Sequence, residues 1–362
     1  MGSTNMGGTQ MFVLNLLKNM DLNRFHIDFV VNFPERAGGV GQELMDMGCN
    51  IYKLPYFRVY NYFSFTKAWN QFLTDHHYDI VHGHSSNSAS VYLKIAKEKK
   101  CVTIAHSHST GFRGGWIQQK AKIIFNRNIR NVADYWFSCS PVAAEHLFGK
   151  GYLEYKYYYD IPNAINAEKY RYNEIIAKKI RNVLGVNECD FLCGHVGSFT
   201  YPKNHTFLLE VFREILKMKP NARLLCCGNG ELMPQLKEKS SALGIDDKVI
   251  FTGVVKNTNE YLMAMDVFVF PSLFEGFGIA ILEAEATGLP VIMSNVVPDD
   301  VVLNDNVYKL SLDALPQEWA KKICNMASGQ LELYNIKIVE SKYNMKTCAK
   351  MVMSLYEEMA TK

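Results

Sequence analysis

Val267-Phe268-Val269-Phe270-Pro271-Ser272-Leu273-Phe274-Glu275-Gly276-Phe277-Gly278-Ile279-Ala280-Ile281-Leu282-Glu283-Ala284 is the stretch whose reading decides the fold. Four β-branched or aromatic residues end at a proline, which cannot extend a hydrogen-bonded ladder, so a buried strand stops there. A loop with two glycines two apart follows, and a helix is predicted from Ile279 to Thr287. The same strand–loop–helix unit recurs on both sides. Strands are expected at Phe191–Val196, Arg223–Cys227, Val249–Thr252 and Pro290–Met293, with helices at His205–Met218, Glu231–Leu243 and Thr258–Met265. Nearer the start, strands are expected at Phe25–Val31, Ile51–Leu54, Tyr78–His82, Cys101–His106 and Tyr135–Ser138, with helices at Thr9–Lys18 and Ser88–Glu98. Strands alternating with helices make an α/β chain of parallel, doubly wound sheets.

The chain has 362 residues, 48% hydrophobic and 21% charged, which suits two domains with separate cores. Asp160–Asn166, with its proline and turn formers, is expected to be the hinge. The domains are then 1–162 and 163–345, and a final helix over Cys348–Met359 lies in a tail, 346–362, that is expected to cross back to the first domain. The net charge of +3 divides as +5 over residues 1–162 and −2 over the rest. That skew is too mild for nucleic-acid binding but suits an anionic acceptor or a membrane surface. Nine cysteines without a CxxC pair, no bilayer-length apolar run and a polar start point to a cytoplasmic protein, at most peripheral to a membrane. One feature is irregular. A doubly wound sheet opens with a strand of about five apolar residues feeding a glycine loop, yet here Gly2-Ser3-Thr4-Asn5-Met6-Gly7-Gly8 stands first. Either the first strand of the expected sheet is missing from a truncated start, or the first sheet is built differently.

The quoted segment also carries chemistry. Glycines let backbone amides approach a ligand, and free N–H groups at a helix start favour phosphate. Glu283, about one turn into the helix, can accept hydrogen bonds from a vicinal diol such as a ribose, and Glu275 stands in the loop above. Phosphate, diol and a second polyol together describe a sugar nucleotide. Two glutamates spaced this way with Gly276, Gly278, Ala284, Gly288 and Pro290 resemble the E-x7-E motif of retaining glycosyltransferase family 4, which has the GT-B fold of two Rossmann-like domains facing a cleft. The resemblance runs over nearly the whole chain: Gly7-Gly8, Pro162-Asn163, Gly197 with Lys203-Asn204, Gly228-Asn229-Gly230 and Phe251-Thr252-Gly253. It is nearest to enzymes of bacterial exopolysaccharide and capsule synthesis.

The resemblance implies transfer of a hexosyl unit, with retention, from a nucleotide-diphosphate sugar (uracil being the favoured base) to a glycan or lipid-pyrophosphate acceptor. It assigns Glu283 to the donor ribose, Glu275 to the sugar hydroxyls, and Gly276, Phe277, Gly278 and Ile279 to the sugar and diphosphate. Gly7 and Gly8 would meet the diphosphate from the first domain, and Asn229 joins the donor set. Lys203 matches a diphosphate-binding lysine. Ser198 stands where the family usually has Arg, so one positive charge is absent. Among the H-x-H pairs His82/His84 and His106/His108, the resemblance puts a cleft histidine at His106 or His108, with His106 preferred. Imidazoles are metal ligands, but no carboxylate or cysteine spacing accompanies them, so no metal and no cofactor are expected. Trp116–Arg130 is a basic amphipathic stretch that either docks on anionic lipid or packs as a core helix. Rival readings are a GT-B sugar-nucleotide epimerase and a non-catalytic GT-B partner subunit.

Overall fold

A computed structural model describes residues 2–5, 8–33, 39–84, 88–108, 128–326 and 331–361. The chain divides into two compact units, one formed by Met1–Ala164 with Met345–Lys362 and the other by Ile165–Asn344.

In the first unit the strands are β1 (Phe29–Val31), β2 (Ile51–Lys53), β3 (Ile80–Gly83), β4 (Val102–Ser107), β5 (Tyr135–Ser138) and β6 (Tyr158–Asp160). The helices are α1 (Gly8–Leu17), α2 (Gly41–Asp46), α3 (Tyr62–Asp75), α4 (Ala89–Glu98), α5 (Ile129–Val132), α6 (Pro141–Phe148) and, from the chain's end, α14 (Met345–Ala360). All pairings are parallel, but they form two separate sheets, β1-β2 and β3-β4-β5-β6. Strand side chains alternate between two apolar layers. Ile104 and Phe137 point into one with α1 and α14, and Ala105 and Trp136 into the other with α3 and α4. Helix α14 buries Met345, Cys348, Ala349, Val352, Leu355 and Met359, a three-to-four-residue spacing that makes one face apolar. It packs against α1. Helix α6 starts where Ser140 Oγ accepts from the Ala143 amide at 3.2 Å and Pro141 fills the first turn.

The second unit has β7 (Leu192–Val196), β8 (Arg223–Cys227), β9 (Val249–Gly253), β10 (Val267–Phe270), β11 (Val291–Ser294) and β12 (Val307–Leu310). Its helices are α7 (Glu174–Val183), α8 (His205–Met218), α9 (Met233–Ala242), α10 (Thr258–Met263), α11 (Ile279–Ala286), α12 (Pro316–Cys324) and α13 (Leu331–Glu340). One six-stranded parallel sheet has the order β12-β11-β10-β7-β8-β9. The chain lays β8 and β9 on one side of β7 and then returns to lay β10 on the other. The strand order therefore reverses between β7 and β10. Phe268 and Phe270 face one core, Val267 and Val269 the opposite one, as a strand buried on both sides requires.

The structure departs from the sequence expectations in instructive places. The strand expected at Phe25–Val31 is ordered as β1 only from Phe29, because a turn at Asp21–Arg24 precedes it. Helix α3 hides in a run rich in aromatics that reads equally as strand, yet Phe65, Trp69, Phe72 and Leu73 share one buried face. Tyr155 stacks on Trp136 at 3.9 Å and Tyr158 bonds Ser138 Oγ at 2.9 Å, which packs the β6 edge against β5. Most of Trp116–Arg130 lies outside the described residues. Arg130, which is described, is tied to the carbonyls of Phe148 and Lys150 and sits over the Trp136 ring.

Candidate active site

In an open α/β sheet, ligands gather beyond the carboxyl ends of the strands where the strand order reverses. In the second unit that point lies between β7 and β10, and the loops leaving these two strands hold Lys203 and Glu275. The β7 loop is fixed by contact of backbone on backbone. Gly197 and Phe199 amides donate to the Cys227 and Asn229 carbonyls, each at 3.0 Å. Gly228 has φ +148°, and a Cβ there would lie 1.9 Å from the Gly197 oxygen; one on Gly230 would lie 2.3 Å from that of Phe199. Only glycine permits so close an approach. The fixed loop ends in a one-turn helix, Tyr201–Lys203, and Asn204 in the left-handed region (φ 53°) turns the chain into α8.

The Leu273 amide donates to the Pro202 carbonyl at 2.7 Å, joining the β10 loop to the β7 loop. Lys203 Nζ then reaches Glu275 Oε1 at 2.5 Å and lies 4.7 Å from the centre of the Phe270 ring. Ser272 Oγ donates to the same carboxylate at 2.9 Å, and Ser294 Oγ holds the Ser272 carbonyl at 2.6 Å. Both ion-pair side chains are largely buried, at 21% and 11% exposure. Two groups assigned separate ligand roles thus neutralise each other here, one from each of the two loops. Ser198 is exposed beside Thr200 and brings no charge. Asn229 is exposed too, with its side-chain oxygen accepting from the Gly230 amide at 2.8 Å.

Gly278, at φ +93°, precedes α11 and offers no capping side chain. The first helical amide bonds are those of Ile281 and Leu282 to the Gly278 carbonyl, so the amides of Ile279 and Ala280 lie ahead of the ladder. Phe277 turns its ring into the core, stacked on Tyr343 at 5.3 Å, and offers only its backbone. Glu283 is half-buried and accepts from Tyr170 Oη at 2.6 Å. Burial lifts its carboxyl to about 7, against the opposing effect of the tyrosine hydrogen bond. Tyr170 has no spacing relation to the glutamate pair and was not legible as part of it. Nor was Glu285, which is fully buried on α11, accepts from the Leu303 and Asn304 amides at 3.0 and 2.8 Å, and is lifted by burial to about 8. Buried His195, behind the loop, bonds the Val269 carbonyl through Nδ1 at 2.9 Å, while its Nε2 has no hydrogen-bond partner.

In the first unit Gly7 lies outside the described residues, and Gly8 is the first residue of α1. The two H-x-H pairs end adjacent parallel strands, so all four rings meet. His82 Nε2 lies 3.1 Å from His106 Nδ1, His84 Nδ1 2.8 Å from His108 Nε2, and the His106 and His108 rings stack at 3.9 Å. Tyr356 Oη holds His82 Nδ1 at 2.5 Å. Burial pushes His82 and His108 down to about 3, and His84 and His106 well below the ordinary imidazole value. His106, the preferred histidine, is 1% exposed, and His108 is the more open of the two. Nitrogens of His82, His84 and His106 lie within 4.8 Å of one another, a group able to gather round a metal ion. The H-x-H pairs were weighed as metal ligands from the sequence, and the grouping of three of these imidazoles keeps that reading beside the expectation of no metal.

Comparison with known proteins adds independent information. Residues 190–328 match the family described as Glycosyl transferases group 1, and residues 6–169 match Glycosyltransferase Family 4. The chain is 27% identical over 330 residues to the putative glycosyltransferase EpsF of Bacillus subtilis, covering 90% of this chain and 86% of that one. It is 28% identical over 233 residues (60% and 58%) to the Escherichia coli UDP-Gal:alpha-D-GlcNAc-diphosphoundecaprenol alpha-1,3-galactosyltransferase. In fold it resembles Anabaena Alr3699/HepE, crystallised with UDP, with a TM-score of 0.79 at 15% identity over 98% of this chain and 99% of that one. Among the described residues no helix is long and apolar enough to cross a membrane.

Proposed function

Starting from a chain that is a glycosyltransferase of the GT-B fold, we propose that it is a retaining family 4 enzyme whose second unit binds a UDP-sugar and passes the hexosyl group to a glycan or lipid-pyrophosphate acceptor of cell-surface polysaccharide synthesis. One observation carries the donor reading. At the sheet's reversal point, Lys203 and the uncapped start of α11 stand on loops joined by the Leu273–Pro202 hydrogen bond.

A diphosphate needs positive potential, and Lys203 with the amides around Gly278–Ala280 supplies it. When phosphate takes the lysine, Glu275 is released to accept from sugar hydroxyls while Ser272 keeps it oriented. Glu283 is the ribose acceptor, held in place by Tyr170. The diol's hydroxyls favour the ionised carboxylate, offsetting the burial that favours the neutral form. In the transfer step the acceptor oxygen bonds to the anomeric carbon as the bond to the β-phosphate oxygen breaks. The acceptor proton passes to the departing phosphate on the same face, which preserves configuration. The reading requires no metal, since the leaving charge is met by Lys203 and backbone amides. Ser198 adds a hydroxyl but no charge, so Lys203 bears the larger share. The UDP seen with HepE and the lipid-diphosphate acceptor named for the E. coli relative support the choice of donor and acceptor class.

The test is a thermal-shift panel of UDP-, GDP-, ADP- and dTDP-sugars with and without EDTA, followed by NMR of the product's anomeric proton. UDP-sugars should raise the unfolding midpoint most, with no effect of EDTA, and an α-linked donor should give an α-linked product. A β-linked product, or no response to any UDP-sugar, would overturn the reading.

A further inference from the structure

Four imidazoles crowd the carboxyl ends of β3 and β4. Side chains two apart on a strand share a face, so His82 pairs with His84 and His106 with His108. The parallel register sets His82 opposite Ile104 and Gly83 opposite Ala105, which brings His106 diagonal to His82 across the ladder. Ring centres lie 4.2 Å apart for His82 and His84, and 5.2 Å from His106 to each of them. One nitrogen from each of these three residues falls within 4.8 Å of the other two, and no Asp, Glu or Cys joins the group among the described residues. The cluster is also short of hydrogen-bond partners. The contacts His82–His106 and His84–His108 each hold one shared proton between two nitrogens, at 3.1 and 2.8 Å. That leaves buried His106 Nε2 and His108 Nδ1 with no partner among the described residues. The neighbouring rings of Phe12 and Phe137 present edges to His106 at 5.8 and 5.7 Å and have no acceptor to offer. Buried polar atoms left unpaired in this way cost stability unless something else satisfies them.

We propose that His82, His84 and His106 form a zinc site, in which three imidazole nitrogens and one water complete a tetrahedron. Two nitrogens bound to one tetrahedral zinc ion lie about 3.3 Å apart. His82 Nε2 and His106 Nδ1 already stand at that spacing, 3.1 Å, so the ion takes the place of the proton they share. The third nitrogen has to close by at most about 1.5 Å, which a rotation of the His84 ring supplies. Tyr356 Oη, bonded to His82 Nδ1, is the outer partner that orients a metal-bound imidazole and settles which of its nitrogens meets the ion. Neutral nitrogen ligands of intermediate softness suit zinc, whereas magnesium and calcium take oxygen. The bound ion ties the carboxyl ends of β3 and β4 together. The inference is independent of the donor reading, whose groups belong to the second unit.

The test takes the full chain, stripped with EDTA and dialysed, and titrates it with zinc sulfate in a calorimeter. One ion per chain should bind with a Kd below about 10 µM. His84→Gln and His106→Gln should each weaken zinc at least about 100-fold, and Tyr356→Phe about 10-fold. His26→Gln, at an exposed imidazole of the same unit, should leave binding unchanged. Cobalt chloride in place of zinc should give the visible bands of a four-coordinate ion without the near-ultraviolet thiolate band that the chain's nine cysteines could supply. EDTA should lower the melting midpoint of the unliganded chain and leave the gain from a UDP-sugar as it was, so this site and the donor site fail separately. A Kd weaker than about 10 µM, a thiolate band, or wild-type affinity in His84→Gln would each overturn the proposal. Should the histidine variants fail to fold, the wild type and Tyr356→Phe decide it. Cobalt bands with weaker zinc binding in Tyr356→Phe support the site, and equal affinity in the two chains overturns it.

Discussion

Replacing Lys203 by methionine keeps the unbranched stem and removes the charge. A unit charge about 4 Å from a developing phosphate charge at an effective dielectric near 20 is worth about 4 kcal/mol. Loss of one preorganised electrostatic contact in other enzymes costs about 3–4 kcal/mol. The predicted fall in kcat/KM is therefore about 10²–10³-fold. The fold should survive. Glu275 loses its cation but keeps the Ser272 hydrogen bond at 2.9 Å, so the expected cost is about 1–2 kcal/mol, or about 3–6 °C in Tm for a unit of this size. Lys203→Arg should recover part of the rate and most of the stability. The assay is steady-state release of nucleoside diphosphate, beside a melting curve of each variant. If Lys203→Met melts like the other variants and turns over within threefold of wild type, the lysine does not meet the reacting charge and the reasoning fails.

Three further outcomes follow from burial and backbone geometry. Glu283 and Glu285 hold their protons to about pH 7 and 8 in the fold against about 4.5 unfolded. The folded state therefore binds more protons in that window, and their contribution is lost as pH rises through it; Glu285→Gln should flatten the decline in melts between pH 5 and 8. The four stacked histidines act in the opposite sense. Their lowered values mean that the unfolded chain takes up protons first, so the first unit should lose stability as pH falls below about 6.5, seen by hydrogen exchange within that unit. Gly228→Ala should cost about 3 kcal/mol, or about 6–12 °C in Tm, because a Cβ 1.9 Å from the Gly197 oxygen meets backbone that cannot step aside. A melt within 2 °C of wild type would contradict that packing.

The alternation of strands and helices was legible because both sheets are parallel and buried on two faces, leaving short apolar runs such as Val267–Phe270 between amphipathic helices. Helix α3 was not, since its aromatic residues suit either period and only packing chooses. Helices α7, α12 and α13 and strand β12 were likewise missed. In α7 and α12 charged residues interrupt the apolar face, and β12 is an edge strand of four half-buried residues, so the pattern is diluted there. The glutamates and the histidine pairs could be found by spacing and Lys203 by resemblance, but their contacts could not. Lys203 meets Glu275 only because β7 and β10 become neighbours when the strand order reverses, and Tyr170 reaches Glu283 across 113 positions of sequence. The division of the first unit into two separate sheets, β1-β2 and β3-β4-β5-β6, was not legible, because strand partners are chosen by packing and not by local pattern.

Calorimetric titration of UDP, UMP and uridine into the wild-type chain and Glu283→Gln tests the donor site most directly. The account predicts that UDP binds far more tightly than uridine and that Glu283→Gln weakens UDP about 10- to 100-fold, the worth of hydrogen bonds to a charged carboxylate. Uridine binding as tightly as UDP, or a Glu283→Gln chain that holds UDP like the wild type, would contradict it.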